Sequence, residues 1–268
     1  MVPDARDALT KVPAVTLGFW IIKVLATTLG ETGGDSVSMS WLGETTAEAG
    51  EGGINGYLIG TAIFGLLLVV LAWVQVRSRK FNPGLYWATI VASTTVGTTL
   101  ADFCTRSLGI GYPGGSFLLF ACVLASLAAW YKATGTISVN SIVGPREEIF
   151  YWVTITFSQT LGTALGDWTA DSAGLGYLGS AAVFLGLLGL VVAAYAFTRI
   201  SRTVLFWAAF VLTRPLGAVI GDFLDKPVVD GGLALSRYAA SGVLLAFMAV
   251  SLISFTQRPI ARGERDTR

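Results

Sequence analysis

Histidine is absent from all 268 residues, and only two cysteines, Cys104 and Cys122, are present. Without imidazole the chain lacks the commonest general base and the usual nitrogen ligand for zinc or haem iron. The two cysteines fall on neighbouring predicted helices at different depths. That excludes a disulfide framework, a thiolate metal site and a Cys/His nucleophile. Glycine-rich phosphate loops and dinucleotide fingerprints are missing, and no catalytic spacing appears. The reading therefore includes no cofactor, no nucleic-acid partner and no assigned enzymatic centre. Charge is scarce as well, at 13% of residues against roughly 25% in soluble domains.

What fills the chain instead is apolar: 53% hydrophobic residues and a mean hydropathy of +0.67. Four apolar runs, 56–76, 116–131, 178–197 and 233–255, approach the length that crosses a bilayer. Four more, 12–33, 85–101, 149–166 and 204–221, begin at aromatic pairs and are interrupted by Thr, Gly and Asp. Eight helices use the chain and leave no room for a separate soluble domain. The net charge of +1 conceals a segregation: thirteen Lys and Arg fall on one side of the predicted spans and three, Arg106, Lys226 and Arg237, on the other. By the positive-inside rule both termini are cytoplasmic. The opposite side is acidic, with Glu44, Glu48 and Glu51 in its first loop. The first apolar stretch contains Lys23 and no clean cleavage site follows it, which argues against a removable signal peptide.

A repeat organises the sequence. Trp20, Trp87, Trp152 and Trp207 each follow Phe or Tyr; ten residues later stand Gly30, Gly97, Gly162 and Gly217, and fifteen later Asp35, Asp102, Asp167 and Asp222. The strides of 67, 65 and 55 residues each hold two helices, so every copy enters the membrane in the same direction. The expected fold is thus all-α and integral to the membrane. Eight transmembrane helices form four parallel two-helix repeats (12–76, 85–131, 149–198 and 204–255) about a pseudo-symmetric axis along the membrane normal, followed by a cytoplasmic tail, 256–268.

The segment from Lys11 to Thr16, followed by Phe19, Trp20, Lys23, Thr27, Thr28, Gly30 and Glu31, resembles a bacterial membrane-protein family described as a repeat of unknown function, or uncharacterised membrane-anchored protein. The resemblance covers nearly the whole chain. It implies a multi-pass protein of the bacterial inner membrane, with lipid as its surroundings, and brings no activity with it.

Function must come from the residues. Positions three, seven, eleven and fifteen after each Trp share one helical face. The four faces read Lys23, Thr27, Glu31, Asp35; Ile90, Thr94, Thr98, Asp102; Ile155, Gln159, Thr163, Asp167; and Phe210, Arg214, Ala218, Asp222. Gathered around one axis, they stack polar layers that end in four aspartates. Each aspartate sits near a helix C-terminus, where negative charge is unfavourable by a few tenths of a kcal/mol or more. Something positive, or a shared proton, is needed to make four such choices favourable. The tryptophans read as aromatic anchors at the cytoplasmic interface, the glycines as close-packing contacts, and some of the threonines as bonding back to their own helices. Lys23 is one turn from the interface and within snorkelling reach of it. Arg214 is deeper and needs a partner, for which Glu31 is the natural candidate; Pro215 is expected to kink its helix.

With five carboxylates, Glu31, Asp35, Asp102, Asp167 and Asp222, against two intramembrane basic groups, the expected function is a secondary transporter or exporter of a small, proton-coupled cation. An all-oxygen site of these carboxylates suits a hard divalent ion such as Mn2+, Mg2+ or Ca2+. The alternatives are a small organic solute recognised through Arg214 and Lys23, a lipid-modifying membrane enzyme, and a scaffold or receptor with a dry polar core.

Overall fold

A computed structural model describes residues 9–44, 55–108, 110–142 and 144–261. Glu48, Glu51, Arg6, Arg262, Arg265 and Arg268, which contribute to the charge segregation, lie outside the described residues. Eight long helices are present among those described. They are α1 (Leu17–Asp35), α2 (Gly56–Arg77), α3 (Pro83–Asp102), α4 (Gly111–Thr134), α5 (Pro145–Asp167), α6 (Gly176–Phe197), α7 (Arg202–Asp225) and α8 (Arg237–Ser254). Local chemistry explains several starts. Thr16 and Asn82 cap α1 and α3 by accepting from the amides of Phe19 and Leu85, and Pro83 and Pro145 open α3 and α5. Pro215 lies inside α7, which runs through it as one helix.

The odd-numbered helices form an inner ring. α1 packs on α3, α3 on α5, α5 on α7, and α7 returns to α1. The even-numbered helices lie outside, and each packs chiefly on the first helix of the next repeat: α2 on α3, α4 on α5, α6 on α7 and α8 on α1. Successive repeats are thereby interleaved, and the last closes on the first.

The repeat glycines make this ring possible. A Cβ at Gly30, Gly162 or Gly217 would overlap the side chain of Thr94, Arg214 or Thr27, and one at Gly97 would lie 3.0 Å from the Gln159 backbone. Each glycine therefore receives the residue seven positions after the Trp of the following repeat. The packing expectation for these glycines matches what small residues do at helix crossings.

Five helices (α2, α4, α6, α7 and α8) are long and apolar enough to cross a membrane. The outer ones present a belt of exposed apolar side chains, including Leu66, Phe117, Leu190, Val192 and Ile253. α1, α3 and α5 are more polar because the other helices surround them; most of their residues are buried in protein.

The all-helical expectation missed one element. Residues Leu9–Pro13 (β1) pair antiparallel with Pro259–Ala261 (β2). Residues 9–13 and 259–261 are thus joined beside the tryptophan end of the bundle, so part of the expected tail, 259–261, pairs with the segment before α1. Lys11 of β1 donates to the carbonyls of Gln75, Val76 and Ser78 at the end of α2, and forms an ion pair of 2.5 Å with Glu148 of α5.

Candidate functional site

At one end of the inner ring the aromatic pairs close on one another. The Phe or Tyr of each repeat meets the Trp of the next: Phe19 and Trp87 at 5.3 Å between ring centroids, Tyr86 and Trp152 at 5.6 Å, Tyr151 and Trp207 at 6.3 Å, and Phe206 and Trp20 at 5.9 Å. The Tyr86 and Tyr151 hydroxyls share a 2.6 Å hydrogen bond. Trp87, Trp152 and Trp207 are buried, which corrects the expectation that the tryptophans are interfacial anchors. Their large apolar faces fill the end of the ring instead of facing headgroups.

Lys23 lies beneath these rings and has no exposed surface. The expected snorkelling does not occur, because the aromatic layer stands between its ammonium and the end of the bundle. Its Nζ lies 3.4 Å from Gln159 Oε1 and 4.2 Å from the centre of the Phe210 ring.

One layer further along, Arg214 Nη1 donates to Glu31 Oε2 at 2.8 Å. Its Nη2 donates to Thr98 Oγ1 at 2.8 Å and to Thr163 Oγ1, and approaches the Thr94 carbonyl at 3.4 Å. Thr98 and Thr163 also lie 3.3 Å from Glu31 Oε2. One guanidinium from α7 and one carboxylate from α1 thus share a cradle of hydroxyls supplied by α3 and α5. Thr27 and Thr94 bond back to Val24 and Val91, and also reach the neighbouring helix at the Thr213 and Ala26 carbonyls. They fasten the ring and do not contact the Glu31 carboxylate by any hydrogen bond among the described residues.

The aspartate layer contains two bridges. Arg106 lies 3.3 Å from Asp102 and 3.2 Å from Asp167. Lys226 lies 3.2 Å from Asp222 and also pairs with Asp35. Each base stands four residues after the aspartate of its own repeat and reaches the aspartate of the following repeat. Three of the four inner helices leave α geometry at the aspartate and continue as π turns, Ser36–Trp41, Phe103–Ser107 and Trp168–Ser172. The π geometry recurs at functional sites in proteins.

These bridges correct the charge balance. The sequence reading places Arg106 and Lys226 in outer loops, yet both are buried. With Asp225, also buried in this layer, six carboxylates therefore face Lys23, Arg106, Arg214, Lys226 and the half-buried Arg237, and the large acidic excess disappears. Both bases are visible in the sequence as Asp-Phe-x-x-Arg/Lys, a spacing that places acid and base one helical turn apart.

The carboxylate oxygens also approach one another. One oxygen from each of Glu31, Asp167 and Asp222 lies within 4.8 Å of the others, and the same holds for Asp35, Asp222 and Asp225. Asp225 further pairs with Arg237 at 3.5 Å. Asp102 is tied to the same layer through Arg106 and belongs to neither triad.

The profile of a family described as Repeat of Unknown Function (DUF347) matches residues 18–81, 85–136, 150–201 and 205–258. The chain belongs to this family. The four matched segments of the DUF347 repeat correspond to the four interleaved pairs of helices. No curated protein and no solved structure matches the chain.

Proposed function

We propose that this DUF347 protein is an eight-span protein of the bacterial inner membrane, with both termini cytoplasmic, and that it moves a small cation by proton-coupled secondary transport. The observation that carries this reading is the triad of Glu31, Asp167 and Asp222, buried on the axis with oxygens within 4.8 Å of one another. Carboxylates at such spacing repel unless a cation or proton lies among them. Here the chain's own Arg214, Arg106 and Lys226 supply positive charge. An entering cation would compete with these tethered bases for the same oxygens, and protonation of the carboxylates would release it. Oxygen ligands favour a hard ion, including Mn2+, Mg2+ or Ca2+.

Closure of the aromatic layer and full burial of Arg214 describe a sealed conformation. Transport requires a second conformation that opens one end of the ring.

Two measurements test the proposal. Single cysteines at Ser201 and Ser172, in a cysteine-free background, should react with an impermeant maleimide from opposite sides of the membrane. Labelling from one side would overturn the topology. Proteoliposomes should accumulate one of Mn2+, Mg2+ or Ca2+ in response to a pH gradient, with Asp102→Asn/Asp167→Asn reducing flux per folded protein. Absence of flux for all three ions would remove the divalent-cation reading.

A further inference from the structure

On the tryptophan side of the Arg214–Glu31 pair stand a buried lysine and two buried N–H donors without hydrogen-bond partners. Lys23 has no carboxylate within ion-pair distance among the described residues; its neighbours are the Gln159 carbonyl oxygen and the Phe210 ring. Gln159 Nε2 and Arg214 Nε are both buried and without a hydrogen-bond partner. Lys23, Gln159 and Arg214 have no exposed surface.

Their positions in the repeat place them together. Gln159 and Arg214 occupy the same level on adjacent helices α5 and α7, and Lys23 is one turn nearer the aromatic layer on α1. Arg214 spends its two terminal nitrogens on Glu31, Thr98 and Thr163, leaving Nε on its other edge. A buried ammonium without a counter-ion is unfavourable, and so are buried N–H donors without acceptors. A small anion would satisfy all three groups at once.

We propose that Lys23, Gln159 and Arg214 Nε form a binding site for a small monovalent anion, a carboxylate or a halide. It lies on the tryptophan side of the carboxylate layer, and anion binding there does not require cation transport. Arg214 is common to both regions, so an anion at its Nε edge would bias the same guanidinium that holds Glu31.

The test uses the full chain in detergent with no ion gradient. Bromide binding is followed by 81Br line broadening, with formate as competitor to distinguish a carboxylate-accepting site from a halide-only one. Saturable binding is expected, with Lys23→Met and Gln159→Leu each weakening it by about tenfold or more, as the loss of a hydrogen bond to a charged group implies. Arg106→Gln/Asp102→Asn/Asp167→Asn, which clears that part of the carboxylate layer without leaving a bare guanidinium, should bind bromide as the parent does, which separates this result from the fate of the cation proposal. Should Lys23→Met fail to yield monodisperse protein, Gln159→Leu decides. No saturable binding of either anion, or unchanged binding in the variants, would overturn the proposal.

Discussion

Arg106 and Lys226 occupy the same place in alternate repeats, nineteen residues after Trp87 and Trp207, and each ties its own aspartate to that of the following repeat. Repeats one and three carry Met39 and Asp171 at that place. At the aspartate layer the fourfold arrangement of the helices therefore carries a twofold arrangement of bridging bases.

Removing one bridge should expose that dependence. Arg106→Gln leaves Asp102 and Asp167 buried without their cation, a loss of about 3 to 5 kcal/mol for a dry site. Adding Asp102→Asn and Asp167→Asn should recover part of it. Thermal unfolding of the detergent-solubilised variants measures both steps. A triple variant no more stable than Arg106→Gln would show that the bridge is not what balances the two aspartates.

The architecture is legible in the sequence because its determinants repeat. The Trp, Gly and Asp offsets recur in all four copies, and the polar face they define contains the residues that meet on the axis. The Arg214–Glu31 approach follows because equal offsets lie at similar depth and the offsets of these two, seven and eleven residues after the Trp, differ by only one helical turn. The bridges escape a reading that assigns Arg106 and Lys226 by side of the membrane, because helical geometry continues past the aspartates. Lys23 escapes for a different reason: distance to an interface says nothing about the aromatic layer between. The β1–β2 pairing joins two short segments some 250 residues apart, and no local pattern announces it.

The glycine contacts predict a sharp contrast between inner and outer helices. Gly162→Ala would press a methyl into Arg214 and should cost about 1 to 3 kcal/mol by overpacking. Gly186→Ala on α6 has open space around it and should leave stability nearly unchanged. Equal melting temperatures for the two variants would contradict close approach of α5 and α7.

The end of the bundle where β1 and β2 meet predicts a pH dependence. Glu148 precedes the apolar stretch of α5; burial pushes its carboxyl up to about 7, opposed by Lys11 and reinforced by Glu147. Tyr86 and Tyr151 are its uncharged neighbours in the same recess. A raised carboxyl pKa means that the folded state retains a proton which the unfolded chain has lost. Its contribution to stability therefore falls as pH rises from about 4.5 to about 7, then levels off. Glu148→Gln should flatten this part of the stability profile. An unchanged slope between about pH 5 and 7 would assign it to another group.

The central pair offers the most discriminating measurement. Arg214 and Glu31 are 183 residues apart in sequence, and their charged atoms are 2.8 Å apart in the fold. Truncating either to Ala should cost about 3 to 5 kcal/mol, because the partner remains buried and charged. The double variant should be less damaging than the sum of the two, since neither uncompensated charge survives. Folded yield and thermal unfolding of the four members of the cycle give the coupling directly. Thr98→Val and Thr163→Val provide a milder check, each removing one hydroxyl shared by both charges. Strictly additive losses for Arg214→Ala and Glu31→Ala would show that the two side chains act independently, and the tethered-base view of Arg214 would fail with them.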